Sequence, residues 1–264
     1  MTLNSISVIE RQFNTGEMPV LVKCSDGNAY ICKYMRSTGS AFKLVNELIG
    51  ANMVEEWGIL SPDFSFIKIE PEHWTNIFTH HSLSAPAFGY KQIDDIIDIT
   101  PSTYMAVTSS IKSLTQLLKI ALFDFWLANE DRTINNSNLL YSPNDDMFIS
   151  IDYGGILNTG SYDSDMSQLT VSDSILYADI FIHVANTVAQ SEVTKTAKDL
   201  FDYYSESVKK CKEKTSNILD IIPIEWNIQK EIVSKKIEQL FEQDWTENVW
   251  TNFVECINEV LKDE

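Results

Sequence analysis

The sequence is poor in basic residues, and this shortage excludes several classes of partner. Lysine and arginine number 20 against 38 aspartate and glutamate residues, giving a formal net charge of -18. Phosphate backbones and anionic membrane surfaces are bound by basic faces, so we expect neither nucleic acid nor membrane as a partner. No apolar run approaches the length of a membrane span.

Cysteine is also scarce. The four cysteines show neither the spacing of a zinc site nor the framework of a small disulfide-rich domain: Cys24, Cys32, Cys211 and Cys256. The first residues lack the basic and apolar segments of a signal peptide. We therefore expect reduced thiols in a cytoplasmic protein. His80 and His81 have only His73 nearby and are interpreted as loop residues rather than metal ligands.

What the sequence does contain is enough apolar material for a sizeable core. Hydrophobic residues make up 44% of 264 residues, which is the composition of one large globular domain or one domain of two lobes. The acidic excess is uneven, because residues 1–93 hold 7 basic and 9 acidic residues whereas residues 94–264 hold 13 and 29. A strongly acidic region such as residues 94–264 can attract basic segments of a partner, or it can simply keep the protein soluble. We favour the second interpretation.

The first third of the chain has the pattern of strands with one helix. Residues 18–24 and 29–34 are rich in β-branched and aliphatic residues, and the Asp-Gly pair between them predicts a hairpin turn. Residues 40–57 have apolar residues near helical spacing, and 64–69 alternate as a strand.

The remainder is predicted to be mainly helical around one polar loop. Residues 109–128 end in a run that is almost wholly apolar, which indicates a buried helix. The polar loop 129–138 follows, then short strands at 139–141 and 147–152, and a Gly-, Ser- and Asp-rich loop at 153–173. Helices are predicted near 174–190, 192–217, 227–243 and 245–262. We therefore predict an α+β chain with a β-rich N-lobe, residues 1–93, and an α-helical C-lobe, residues 94–264.

Five polar residues occur in an order that suits phosphoryl transfer. Lys33 ends a strand, Glu47 lies on the next helix, Asp131 and Asn136 lie in the polar loop, and Asp152 ends a strand before Tyr-Gly. Phosphoryl transfer uses a strand lysine on the phosphates and a helix glutamate that holds it. It also uses a loop aspartate for the acceptor hydroxyl, and an asparagine and an aspartate on Mg²⁺.

Each of these residues also has an ordinary interpretation. Alone, Lys33 and Glu47 are most simply solvated surface residues, and a loop such as 129–138 forms wherever Asn and Asp bond their own backbone. Together, their order and their predicted secondary structure agree, and the polar loop directly follows a buried helix. A polar cluster on so apolar a support indicates a site.

The same stretches resemble the HipA-like kinase family. Phe123-Asp-Phe-Trp-Leu-Ala-Asn-Glu-Asp-Arg-Thr-Ile-Asn-Asn-Ser-Asn-Leu-Leu140 is similar to its catalytic loop, above all in the small stand-alone branch. Ile151-Asp-Tyr-Gly154 is similar to that branch's Ile-Asp-His-Gly, and residues 222–226 to its Pro-x-Glu-Trp. Residues 15–22, 28–33, 45–50 and 57–62 resemble its N-lobe more weakly. The resemblance covers about the whole chain.

The resemblance implies a two-lobed protein-kinase-like fold with ATP in the cleft. It implies Lys33 on the phosphates with Glu47 as its ion-pair partner, Asp131 as catalytic aspartate, and Asn136 and Asp152 on Mg²⁺. Gly16, in the turn between the first strands, would let backbone amides approach the phosphates. Activity in the wider family is serine/threonine phosphorylation of proteins, often in toxin–antitoxin modules with a regulatory partner protein.

The sequence departs from the family pattern at three places, one of which is Tyr153, where the family has phenylalanine or histidine. The phosphate turn has Gly16 but no Gly-x-Gly-x-x-Gly, and Thr133 stands where HipA and related lipid kinases have histidine. Asn138 remains an alternative to Asn136 as a metal ligand. Three functions therefore stay open. The first is an active kinase with a protein substrate, the second a pseudokinase that binds nucleotide as an interaction module, and the third a small-molecule kinase.

Overall fold

The protein folds into a β-rich N-lobe and a helical C-lobe, as the sequence predicts. The computed structural model describes residues 2–36, 41–74, 85–160 and 162–262, so the interpretation of His80 and His81 concerns residues outside these ranges. The nine strands described are β1 Thr2–Asn4, β2 Arg11–Gln12, β3 Val20–Lys23, β4 Ala29–Lys33, β5 Phe64–Lys68, β6 Ala87–Lys91, β7 Ile97–Asp98, β8 Leu139–Ser142 and β9 Met147–Ser150. The eight α-helices described are α1 Phe42–Glu56, α2 Ile111–Leu127, α3 Ile156–Gly160, α4 Asp179–Ala185, α5 Gln190–Lys198, α6 Phe201–Ile221, α7 Lys230–Gln239 and α8 Gln243–Val260.

The N-lobe is one six-stranded sheet in the order β1-β5-β6-β4-β3-β2. β3 and β4 form the predicted hairpin, in which Gly27 adopts a φ of 85° that favours glycine. β4 pairs antiparallel with β6, so Lys33 lies opposite Phe88 at the end of the strand. This pairing fixes the last residue of β4 at the edge that faces the C-lobe.

Helix α1 follows β4, and its buried face contains polar as well as apolar side chains. Its buried residues include Leu44, Val45, Leu48 and Ile49, as expected from their spacing, but also the polar Asn46 and Glu47. A buried carboxylate is stable only when it is paired and hydrogen-bonded. The face of α1 that contains Glu47 must therefore contact polar partners inside the molecule.

Helix α2 is the central support of the C-lobe. The Ser110 hydroxyl accepts a hydrogen bond from the Ser113 amide and begins the helix, and Ala128, with a φ of 49°, ends it in the left-handed conformation. All residues from Ile120 to Leu127 are buried. The predicted buried helix is confirmed, and its end delivers the polar loop to the interior edge of the lobe.

The two short strands after this loop pair as predicted. β8 and β9 are antiparallel and are joined by β7 into a three-stranded sheet. Leu60, in the segment between α1 and β5, forms a bridge with Ile149 of β9 and so ties this sheet to the N-lobe. Asp152, which was predicted to end this strand, lies two residues beyond β9 and is thereby held close to both lobes.

The helical part differs from the prediction at three places. Residues 153–173, predicted as a loop, contain α3. The segment predicted as 174–190 is a helical turn followed by α4, and the segment predicted as 192–217 is divided into α5 and α6 between Lys198 and Phe201. No proline or glycine marks that division, so local sequence patterns do not reveal it.

One large hydrophobic cluster runs from α1 through α2 to the C-terminal helices, and a smaller one lies on the N-lobe sheet. Because the large cluster includes residues of both lobes, the domain boundary proposed between residues 93 and 94 stays a prediction. All four cysteines are buried and free, as expected for reduced thiols. Among the described residues, none of the helices has the length and apolarity needed to cross a membrane.

Candidate active site

The side chain of Lys33 is the centre of a cluster of charges between the lobes. Its Nζ lies 2.5 Å from Glu47 Oε1 and 2.5 Å from Asp152 Oδ1, although these partners are 14 and 119 positions away in sequence. The Oε2 of Glu17 lies 3.1 Å from the same nitrogen. The structure therefore brings together Lys33, Glu47 and Asp152, as the resemblance implies, and adds Glu17.

The pKa values in this cluster reflect burial and the sharing of one ammonium group, that of Lys33, by three carboxylates. Burial alone would lower the pKa of Lys33, but the carboxylates outweigh it and hold that pKa well above its usual value. Burial raises the pKa of Glu47 to about 7, and the charge of Lys33 opposes this rise. Burial also disfavours the charge of Asp152, yet Lys33 outweighs it and lowers the pKa of that carboxyl. Lys33 therefore stays protonated.

Glu47 is held from both lobes. Its Oε2 accepts hydrogen bonds from the Tyr90 hydroxyl of β6 at 3.1 Å and from the Tyr153 amide at 3.0 Å. Beside it, the Asn46 amide nitrogen donates to the carbonyls of Gly154 and Ile156. These contacts fix α1 against the segment that follows Asp152 and satisfy the buried polar groups of the helix.

The polar loop places Asp131 and Asn136 together. Asn136 Nδ2 lies 3.3 Å from Asp131 Oδ1 and 3.2 Å from the Asp131 carbonyl oxygen, and Asn138 Nδ2 also donates to that carbonyl at 3.2 Å. Burial, and next the charge of Asp152, raise the pKa of Asp131. Asn138 also accepts a backbone hydrogen bond from Ile151 at 3.1 Å. The backbone bond therefore places Asn138 beside the residue that precedes Asp152, whereas the side-chain contacts of Asn136 are with Asp131.

Arg132 is the residue that sequence reasoning missed in this loop. It is fully buried, and its Nε donates to Asp124 Oδ2 of α2 at 2.7 Å. Its other nitrogens donate to the Ser137 carbonyl at 2.9 Å, to the Asn138 carbonyl at 2.5 Å and to the Ser150 hydroxyl at 2.8 Å. One guanidinium thus joins α2, the polar loop and β9. The signal that could have revealed it was Asp124, a carboxylate within an apolar helix that needs a cation.

The backbone at Asp152 is in an uncommon conformation. Its φ of 62° lies in the left-handed region, which costs a non-glycine residue free energy and persists only where the surroundings enforce it. The following Gly154 amide lies 3.4 Å from Asp152 Oδ1. This turn directs the carboxylate toward Lys33 rather than along the strand.

Two glycines permit close approach at the site. A Cβ on Gly50 of α1 would lie 2.3 Å from the Cβ of Tyr153, and one on Gly155 would lie 2.5 Å from the Cβ of Asp131. Neither distance is possible between real side chains, so both positions require glycine. By contrast, a Cβ on Gly16 would meet nothing within 4 Å, which leaves open space at the turn between β2 and β3.

The fold and the cluster together define the protein-kinase-like class, with a sheet lobe, a helical lobe and a lysine–glutamate–aspartate cluster between them. The model of the HipA-like kinase family matches residues 6–253. The chain therefore belongs to the HipA-like kinase family, a family of phosphotransferases. None of the curated proteins matches this sequence.

The fold resembles that of solved kinase structures. The Helicobacter pylori proinflammatory kinase CtkA is 12% identical, with a TM-score of 0.58 over 97% of this chain and 99% of that one. The Golgi casein kinase is 13% identical over 96% of this chain and 74% of that one, with TM-scores of 0.46 and, for its Mn/ADP complex, 0.45. At these identities the likeness concerns the fold. The roles of Lys33, Glu47, Asp131, Asn136 and Asp152 stay predictions.

Proposed function

We propose that this protein is an ATP- and Mg²⁺-dependent kinase that transfers the γ-phosphate to a serine or threonine hydroxyl of a protein. The observation that carries the proposal is the ammonium of Lys33 at 2.5 Å from both Glu47 and Asp152. This arrangement joins a strand of the sheet, a helix and the segment that follows β9, which is what phosphoryl transfer needs to position its substrates.

The chemistry of the side chains fits a nucleotide with its metal. Lys33 would bind the phosphates as a buried cation, and Glu47 would fix its position. Asp152 with Asn136 or Asn138 offers the carboxylate and amide oxygens that Mg²⁺ prefers. When bound, Mg²⁺ would neutralise charge on the phosphates.

Asp131 is the residue that we assign to the acceptor hydroxyl. Its carboxylate lies in the loop that α2 supports, and Asn136 donates to it. A raised pKa makes a carboxylate a stronger base, because the ideal catalytic pKa lies near the working pH. Asp131 would orient the hydroxyl and accept its proton. Asp152 would act on binding instead, through the metal.

The different roles assigned to Asp131 and Asp152 can be tested by separate substitutions. Asp131→Ala should abolish phosphate transfer from labelled ATP to myelin basic protein or to the chain itself, yet retain nucleotide binding in calorimetry. Asp152→Ala should weaken Mg-ATP binding itself. Asp63→Ala, at an exposed aspartate of the N-lobe, is the matched control and should leave both unchanged.

Equal transfer by the wild type and Asp131→Ala would overturn the proposed role of Asp131. Mg-ATP binding without transfer to any acceptor would favour the pseudokinase. Transfer to a small molecule but to no protein would favour the third function.

A further inference from the structure

The donors of Lys33 are fully used by the protein itself. An ammonium group has three N–H donors. The structure supplies three carboxylates to this one, from Glu47, Asp152 and Glu17. On the proposed function, a phosphate can accept a hydrogen bond from Lys33 only after one of these carboxylates has moved away from the ammonium group.

The three carboxylates are not equally free to leave. Glu47 is fully buried, and Tyr90 and the Tyr153 amide hold its second oxygen. Asp152 would turn to Mg²⁺ when the metal binds. Glu17 makes the longest of the three contacts, 3.1 Å, and its side chain is 28% exposed. Glu17 is therefore the carboxylate that the metal does not remove and the fold does not bury.

Glu17 also occupies a second cation. Its Oε1 lies 2.9 Å from Lys43 Nζ in the first turn of α1. The turn that carries it is held in place by Arg36, whose Nη1 donates to the Gly16 carbonyl at 3.1 Å. A single carboxylate, at the turn where the phosphates are expected, thus bridges the two lysines of the cleft.

We propose that Glu17 is a counter-ion gate of the phosphate site, and this inference rests on the proposed function. Its carboxylate competes with the phosphates of the nucleotide for Lys33 and Lys43, and the phosphates reach either ammonium group only after Glu17 has turned away. The gate sets nucleotide affinity and does not take part in transfer.

The test is calorimetry of the full chain with a non-hydrolysable ATP analogue, with and without Mg²⁺. Glu17→Gln keeps the shape of the side chain and removes its charge, so it should tighten binding about fivefold, as expected from losing partly exposed ion pairs that compete with the ligand. Glu17→Ser should act in the same direction. The matched control is Glu70→Gln, because Glu70 is 26% exposed and lies 3.0 Å from Lys68 on the far side of β6.

Tighter binding separates the gate from a structural role, since a damaged turn would weaken binding. The gate would be overturned if the wild type binds the analogue and neither Glu17→Gln nor Glu17→Ser binds it more tightly. The proposed function would then still stand. Weaker binding only in the presence of Mg²⁺ would identify Glu17 as a metal ligand instead. Absence of binding by wild type and all variants would refute the proposed function and the gate together.

Discussion

Replacing Arg132 by methionine should destabilise the whole protein, because this residue joins three elements beneath the site. Methionine keeps the aliphatic volume but removes every donor. Asp124, which is 1% exposed, would keep only the hydrogen bond from Asn129 at 2.8 Å. The Ser137 carbonyl would lose the donor that Arg132 supplies, whereas the Asn138 carbonyl would keep the Ile151 amide and the Ser150 hydroxyl would keep the Tyr153 hydroxyl.

The magnitude follows from the burial of the pair. Breaking a buried ion pair by removing one partner costs about 3–5 kcal/mol, mostly because a charge is left without compensation. For a chain of this size each kcal/mol lowers the melting temperature by roughly 2 °C, so we expect a decrease of about 8 °C. Replacing both partners with apolar residues, as in Asp124→Leu with Arg132→Met, should recover part of this loss.

Urea unfolding and thermal melting of four proteins decide the matter: wild type, Arg132→Met, the double variant, and Arg11→Met as the control. Arg11 is exposed at β2, so its replacement should change the free energy of unfolding by less than about 0.5 kcal/mol. A loss below about 1 kcal/mol for Arg132→Met, or a double variant less stable than the single one, would show that the pair does not stabilise the loop as argued.

Two further predictions concern the site. In Gly155→Ala the new Cβ would lie 2.5 Å from the Cβ of Asp131 and would collide with it. Phosphate transfer should therefore fall by at least about tenfold, as a 1 Å displacement of a catalytic group can cause. In Gly16→Ala the new Cβ would meet nothing within 4 Å, so this variant should have unchanged stability. Equal transfer by Gly155→Ala and wild type would contradict this packing. The second prediction concerns pH. The pKa of Glu47 is raised to about 7 in the folded state, so the folded protein binds this proton more tightly than the unfolded chain does. The contribution of Glu47 to stability therefore falls as the pH rises from about 4.5 through 7. The stability of Glu47→Gln relative to wild type should therefore increase by about 2 kcal/mol between pH 5 and pH 7.5 in urea melts, and a difference independent of pH would refute this.

The residues that sequence reasoning could find are those that local patterns mark. Lys33 ends a strand whose alternation is visible, and Asp131 follows a helix that is apolar on all sides. Asp152 was predicted at a strand end before Tyr153 and Gly154, and it lies two residues beyond β9. Their spacing along the chain follows the order of the elements, so the elements and the residues were predicted together. The roles in transfer were predicted from the order of these polar residues, which suits phosphoryl transfer, and from the family resemblance.

The residues that were missed depend on contacts between distant segments. Arg132 stands in a polar loop and would be expected on the surface, and only its partners on α2 and β9 explain its burial. Glu17 looks like any turn residue until the turn is placed beside Lys33. Gly50 and Gly155 are required because a Cβ at either position would lie within 3 Å of a side chain from another segment, which no local pattern records.

The charge balance of the cleft bears on how a nucleotide could enter it. The cluster contains four carboxylates and two ammonium groups, from Glu17, Glu47, Asp131, Asp152, Lys33 and Lys43. With every group ionised the cleft repels a polyphosphate, and two like charges 4 Å apart near a protein surface interact by about 4 kcal/mol. A divalent cation that enters with the phosphates cancels the excess of two negative charges in the cluster. On the proposed function, Mg²⁺ is therefore needed for binding as well as for transfer, and removing the charge of Glu17 should relieve part of that need.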